Sequence, residues 1–168
     1  MTIIDGASVR NVADEPIGVS ALDQRIPFLL SQLGAYVAEA FKARLEPLGL
    51  HPRATAVLLA LAAADGQSQR ELYERLGLHR NVMVTLIDTL ETEGLVERRP
   101  HPDDRRAFAV SLTGRARELL PALDSAGRAL EDEVTAPLSD EEREALRQAL
   151  RRLSAAAGLI PGVHPGLA

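Results

Sequence analysis

Apolar residues divide this chain into segments of distinct period. Phe28, Leu29, Leu33, Tyr36, Val37, Ala40, Phe41 and Leu45 recur at steps of three and four, the spacing of an amphipathic helix. Pro27 suits its first turn, and Pro47 with Gly49 ends it. Ser20 and Asp23 stand at capping-box spacing and predict a short helix before Pro27. His51 and Pro52 open the next helix, which contains nine unbroken apolar residues from Ala56 to Ala64. A helix apolar on every side is expected to be buried. Asp65 and Gly66 stop it.

Ser68 and Glu71 form a clean capping box, in which a hydroxyl and a carboxylate each take a free N–H at a helix start. The helix it opens is short, from Gln69 to Leu76, and Gly77 breaks it. Another follows from about Arg80 to Glu93, with Met83, Leu86, Ile87 and Leu90 on its core face, and Gly94 ends it. The period then changes. Leu95 to Arg99 reads as a strand and Pro100 to Asp104 as a turn-rich tip. Arg106 to Leu112 reads as a second strand, alternating Ala107, Ala109 and Ser111 against Phe108, Val110 and Leu112. Thr113 caps a long helix running to about Thr135, with Pro121 as a point where it can bend. Ser139 and Glu142 form a second capping box, before a helix through Leu146, Leu150 and Leu153. Glycines and prolines make the remaining tail irregular, and no repeat of 20–50 residues is present. The predicted fold is mostly α with a small β wing: a helix-turn-helix followed by a hairpin.

That order places the helix after Gly77 where it can enter a major groove about 12 Å wide. Its early turns carry His79, Arg80, Asn81, Val84 and Thr85. Arg can bond guanine O6 and N7 with two N–H groups, Asn can pair with adenine, and a Val or Thr methyl can touch a thymine methyl. His79 and Asn81 also suit a helix cap. Arg98, Arg99, Arg105 and Arg106 crowd the hairpin, and a narrow minor groove attracts an inserted Arg. Asp104 is placed to hold a neighbouring guanidinium and so stabilise the wing. Alone, such a hairpin would read as a self-compensating charged loop.

Composition first cuts against this and then supports it. The net charge is −5, from 19 basic and 24 acidic residues. Residues 70–117, however, hold nine Arg against eight acids, while the rest of the chain holds ten basic and sixteen acidic residues. A basic edge therefore sits on an acidic body, which weakens non-specific phosphate binding. Arg outnumbers Lys 18 to one, favouring two-pronged bonds to phosphate and guanine. Aromatics are 3%, too few for a single-strand stacking platform. With no Cys, disulfides, thiol sensing, thiolate metal sites and a Cys nucleophile are excluded. The four His show no paired spacing, so no metal and no cofactor is expected. G-x-S-x-G, a Gly-rich phosphate loop and H-E-x-x-H are absent, so the chain is not expected to be an enzyme. The nine-residue apolar run is short of a membrane span, and the first residues lack a secretory pattern. A cytoplasmic protein with no membrane partner is expected.

The stretch Leu76 to Arg98 (LGLHRNVMVTLIDTLETEGLVER) resembles the recognition helix and wing entry of the multiple antibiotic resistance regulator (MarR) family. The family's wing pattern Asp-any-Arg matches Asp104 to Arg106, and its Leu-Thr ending matches Leu112-Thr113. The helix order extends the resemblance over about residues 25–155. His79 to Val82 replaces the family's more usual hydroxyl-rich helix start, and Gly114 follows Leu-Thr at once.

The resemblance implies a homodimeric winged helix-turn-helix regulator. Residues 20–50 would be the N-terminal dimerisation helix, 51–112 the DNA-binding domain and 113–158 the C-terminal dimerisation helices. Residues 1–19, without a sustained period, and 159–168, rich in Gly and Pro, lie outside the family pattern and read as a flexible arm and an irregular tail. Two recognition helices would read a palindromic operator in double-stranded DNA, one helical turn (about 34–36 Å) apart. Arg80, Asn81 and Thr85 fall on major-groove positions, and Arg105 and Arg106 on the minor-groove wing. Many members repress genes and release DNA when a small aromatic or anionic ligand binds. By that analogy Tyr36, Phe41, His51 and Arg53 are ligand candidates. Packing is the plainer role for Tyr36 and Phe41, and capping or surface charge for His51 and Arg53. The expected function is a ligand-responsive repressor. The alternative is a winged helix that binds protein and not DNA.

Overall fold

The computed structural model describes residues 18–100 and 108–167. The described residues divide into two compact units, one up to Tyr36 and one from Val37 onward. Among them, no helix is long and apolar enough to cross a membrane.

The first unit holds α1 (Ser20–Asp23) and the start of α2 (Ile26–Leu45). The expected capping box at Ser20 does not form. Val19 takes the capping position with extended backbone, Ser20 is already inside the helix, and no side chain caps it. Leu22, Ile26, Phe28, Leu30, Leu33 and Tyr36 are all exposed.

The second unit opens with the remainder of α2, which tightens into one 3-10 turn over Glu46–Leu48. Its core is built from α3 (Pro52–Ala63), α4 (Gln69–Leu76) and α5 (Arg80–Thr92). Leu58, Leu61, Leu72, Met83, Ile87 and Leu90 are fully buried there. Leu45 and Leu50 close one side, and Ala116 and Leu123 of α6 (Gly114–Thr135) close another. The long apolar run is not buried all round: Leu59, Ala62 and Ala63 of α3 reach the surface. A single face of α3 meets the core, so hydrophobicity around the whole circumference overstated its burial.

The sheet has three antiparallel strands in the order β1 (Gln67–Ser68), β3 (Phe108–Leu112), β2 (Val96–Pro100). Arg98 stands opposite Val110, and Val110 also pairs with Gln67. Its central place explains why β3 breaks the expected alternation: Ala109, Val110, Ser111 and Leu112 are all buried, and Phe108 is exposed. β1 escaped sequence reading because two residues have no period; pairing with β3 alone makes them a strand. Gln67 has a second role. Its buried amide donates to the carbonyls of Ala60 (3.1 Å) and Ala64 (2.5 Å), satisfying the open end of α3.

Two polar joints fix the wing to the helices. Asp65 accepts the Leu112 N–H (3.0 Å) and pairs with Arg117 (2.6 Å). Thr113 caps α6 by accepting the Ala116 N–H (3.2 Å) and donates its hydroxyl to the Gly94 carbonyl (2.7 Å). The helix α6 runs on through Pro121. The last helix, α7 (Asp140–Ala156), starts at the expected Ser139–Glu142 box but buries no residue.

Candidate nucleic-acid interface

Local chemistry sets the angle of the helix-turn-helix. At the start of α4, Ser68 Oγ accepts the Glu71 N–H (3.2 Å), and Glu71 accepts the Ser68 N–H (2.7 Å). At its end Gly77 takes a left-handed φ of 63°, a conformation other residues adopt at a cost. The Leu78 N–H then returns to the Tyr73 carbonyl (3.1 Å), and α5 begins two residues later.

The helix α5 has two faces. Met83, Leu86, Ile87 and Leu90 are buried, while Arg80, Asn81, Val84 and Thr85 form an exposed stripe over its first turns. His79 is the capping residue: its Nδ1 accepts the Asn81 N–H at 3.3 Å. The capping role that sequence left open for both residues falls to His79, and the Asn81 side chain is outside that bond. Arg80 has no ion pair or hydrogen bond among the described residues. The Thr85 hydroxyl donates to the Asn81 carbonyl (3.2 Å), and Thr89 repeats this with Thr85 (3.0 Å). With its proton engaged, the exposed Thr85 hydroxyl keeps only its lone pairs for other partners.

A cleft lies on each side of this stripe. One, of about 440 Å³, is lined by His51, Arg53, Asn81, Val82, Thr85, Leu86 and Thr89. The other, of about 480 Å³, is lined by residues including Gln69, Arg70, Tyr73, Arg80, Val84 and Phe108. The helix is thus a ridge between two hollows. Sequence reading missed Arg70 and Tyr73, because nothing local says that α4 shares a cleft with α5. Arg70 pairs with Glu74 one turn on (2.9 Å), and that carboxylate raises its pKa above the ordinary arginine value.

The wing arginines differ in kind. Arg98 is held by Asp88 and Glu91 of α5, and its own N–H donates to Glu91 (3.1 Å). Partial burial lowers its pKa, but the bond to Asp88 and the charge of Glu91 outweigh this and raise it. Arg98 is therefore a brace between recognition helix and wing. Arg99 is 64% exposed and, among the described residues, pairs only with Glu97 (2.5 Å). Such a surface pair is weak enough to be exchanged for a phosphate. Arg105, Arg106 and Asp104 lie outside the described residues.

Of the four ligand candidates, the structure brings two together. His51 and Arg53 share the first cleft with α5. His51 also caps α3, accepting the Ala54 N–H at 3.3 Å. Phe41 packs against the hydrophobic core of the second unit, and Tyr36 belongs to the first unit, about half exposed.

Comparison with known proteins places this geometry. A profile described as MarR family matches residues 48–107. A MarR-family transcriptional regulator from Rhodococcus sp. RHA1 is 31% identical, covering 81% of this chain and 96% of its own, with a TM-score of 0.67. CouR from Rhodococcus jostii RHA1, solved bound to p-coumaroyl-CoA, is also 31% identical, covering 81% and 96%, with a TM-score of 0.68. The MarR-family protein Rv2887 of Mycobacterium tuberculosis, solved in complex with DNA, is 28% identical, covering 78% and 98%, with a TM-score of 0.66. In its curated description Rv2887 is an HTH-type transcriptional repressor.

Proposed function

This chain belongs to the MarR family of transcription regulators, and from that premise we propose that it is a homodimeric, ligand-responsive repressor reading a palindromic operator. The observation that carries the reading is the exposed stripe of Arg80, Asn81, Val84 and Thr85 on a helix whose opposite face is locked in the core. Arg80 reads guanine, Asn81 adenine, and Val84 and Thr85 thymine methyls. Arg70 and Arg53, one in each flanking cleft, meet the phosphates on either side of the groove. Arg99, with Arg105 and Arg106, serves the minor groove, and Asp104 steadies the wing. His79 contributes by fixing the start of α5.

The apolar residues left exposed on α2 and α7 supply the dimer surface. A small aromatic or anionic ligand fits the cleft of His51 and Arg53, where its carboxylate would meet Arg53. Asn81 and Thr85 line that same cleft, so an occupant there competes directly with DNA for the reading helix. CouR supports ligand control by its bound p-coumaroyl-CoA, and Rv2887 supports DNA binding by its complex. The relatives are named as regulators, and we assign no catalytic step to this chain.

Selection of bound sequences from a random DNA pool tests the reading. A two-fold symmetric site with half-sites about one helical turn apart is expected. Arg80→Ala should then cost about 1–3 kcal/mol and relax preference at one base position. Equal loss on every sequence would reduce Arg80 to a phosphate contact. No enriched sequence at all would leave the protein-binding alternative standing.

A further inference from the structure

The segment after α7 is more than a loose end. Gly158 closes the helix, its N–H donating to the Ala155 carbonyl (3.0 Å) while the Leu159 N–H donates to Ser154 (3.0 Å). Ile160 to Val163 then form a tight turn, the Val163 N–H donating to the Ile160 carbonyl at 3.1 Å. Pro161 holds its second position and Gly162, at φ 75°, its third, the pattern of a type II turn. His164 Nδ1 accepts the Gly166 N–H at 3.0 Å and stiffens the next step.

These local bonds deliver Val163 to a distant place. A β-carbon built on Gly77 would lie 3.0 Å from Val163 Cγ1. Gly77 therefore serves twice. It supplies the left-handed backbone that ends α4, and its missing side chain leaves the seat that Val163 takes. Val163 is partly buried, while Leu159 and Ile160 beside it stay exposed. They extend the exposed apolar positions of α7 (Leu146, Leu150, Leu153) into the tail.

We propose that residues 158–167 form a strap that couples α7 to the reading helix. Seated on Gly77, Val163 restrains the turn from which α5 starts. A restrained α5 samples fewer orientations before it meets a groove, and preorganisation of that kind strengthens binding. Because the strap grows out of α7, whatever covers the α7 face also acts on the turn. The last step, from turn to operator affinity, rests on the DNA-reading proposal; the seating itself does not.

The test uses Val163→Asp in the full chain, with Val163→Ala as a milder variant. Hydrogen exchange is followed at Leu78, whose N–H is bonded across the turn, and at Asn81. Faster exchange at both is expected in Val163→Asp, with sedimentation and helix content unchanged. Operator affinity should fall about three- to tenfold, the scale of burying part of one valine side chain. Val163→Ala should fall between the variant and the parent. Unchanged exchange in Val163→Asp overturns the strap. Faster exchange with unchanged affinity overturns the coupling to reading. If the unaltered chain binds no DNA, the DNA reading fails, and exchange alone decides the strap.

Discussion

The reading head and α7 carry similar apolar patterns and meet different fates. In α5, Met83, Leu86, Ile87 and Leu90 recur at three- and four-residue steps and are all buried within the chain. In α7, Leu146, Leu150 and Leu153 recur at the same steps, yet the helix buries none of its residues. Its described ties to α6 are polar, Arg147 to Glu131 (2.9 Å) and Arg143 to Asp132 (3.5 Å). Exposed pairs of that sort contribute little. Periodicity thus tells which face of a helix needs cover and is silent on what covers it. In the head one chain supplies the cover; on α7 a second copy is the natural source.

The sharpest way to break the comparison is to cut both faces. Ile87→Ala should destabilise the fold by about 2–5 kcal/mol, because a fully buried side chain leaves a cavity. Chemical denaturation would show it, and a loss below 1 kcal/mol would mean the head is not the folding core. Leu150→Asp should act on association. Sedimentation should shift from dimer to monomer, and the thermal midpoint should lose its dependence on protein concentration. Operator affinity should fall on the order of a hundredfold or more as the second half-site contact is lost. A monomeric parent protein would end the dimer reading outright.

The two serine capping boxes refine the contrast on a smaller scale. Ser68→Ala and Ser139→Ala each remove a bond of the same kind, and each should cost about 0.5–2 kcal/mol locally. Ser68 opens α4, which Leu72 anchors in the core, so its loss should lower the global midpoint. Ser139 opens a helix with no buried anchor, so its loss should speed amide exchange along α7 and leave the head nearly unchanged. Equal global shifts from both would show that α7 folds as one unit with the head.

What was legible in the sequence follows the same division. The Ser68 and Ser139 boxes, the His51 and Thr113 caps and the core face of α5 are local or periodic signals, and each stands where the residues pointed. Features made by residues distant in the chain were not legible. β1 exists through its pairing with β3, and the burial of β3 on both faces follows from its central place. The assignment of Arg98 to Asp88 and Glu91 needs the wing folded back on α5. Ser20 shows the limit even of local signals, since spacing without a following buried face did not make a cap. For the interface, Arg80, Asn81, Val84 and Thr85 follow from their place in the early turns of α5 and, for Arg80, Asn81 and Thr85, from the family resemblance, whereas the cleft lining by Arg70 and Tyr73 required the packing of α4 beside α5.

The smallest effect is electrostatic and lies on α7. Glu144 accepts a hydrogen bond from Gln148 (3.0 Å) and pairs with Arg147, and both hold its carboxyl below the usual carboxylate range. A depressed folded-state pKa means the unfolded chain binds the proton more readily. The contribution is therefore present at neutral pH and is lost as pH falls through the lowered folded-state value. Glu144→Gln should lower the α7 protection factors slightly at neutral pH and match the parent once the carboxyl is protonated. Salt should shrink the neutral-pH difference, because the pair is solvent-exposed. A difference that persisted into acid would point to lost packing by the side chain, and α7 would then have an anchor within its own chain.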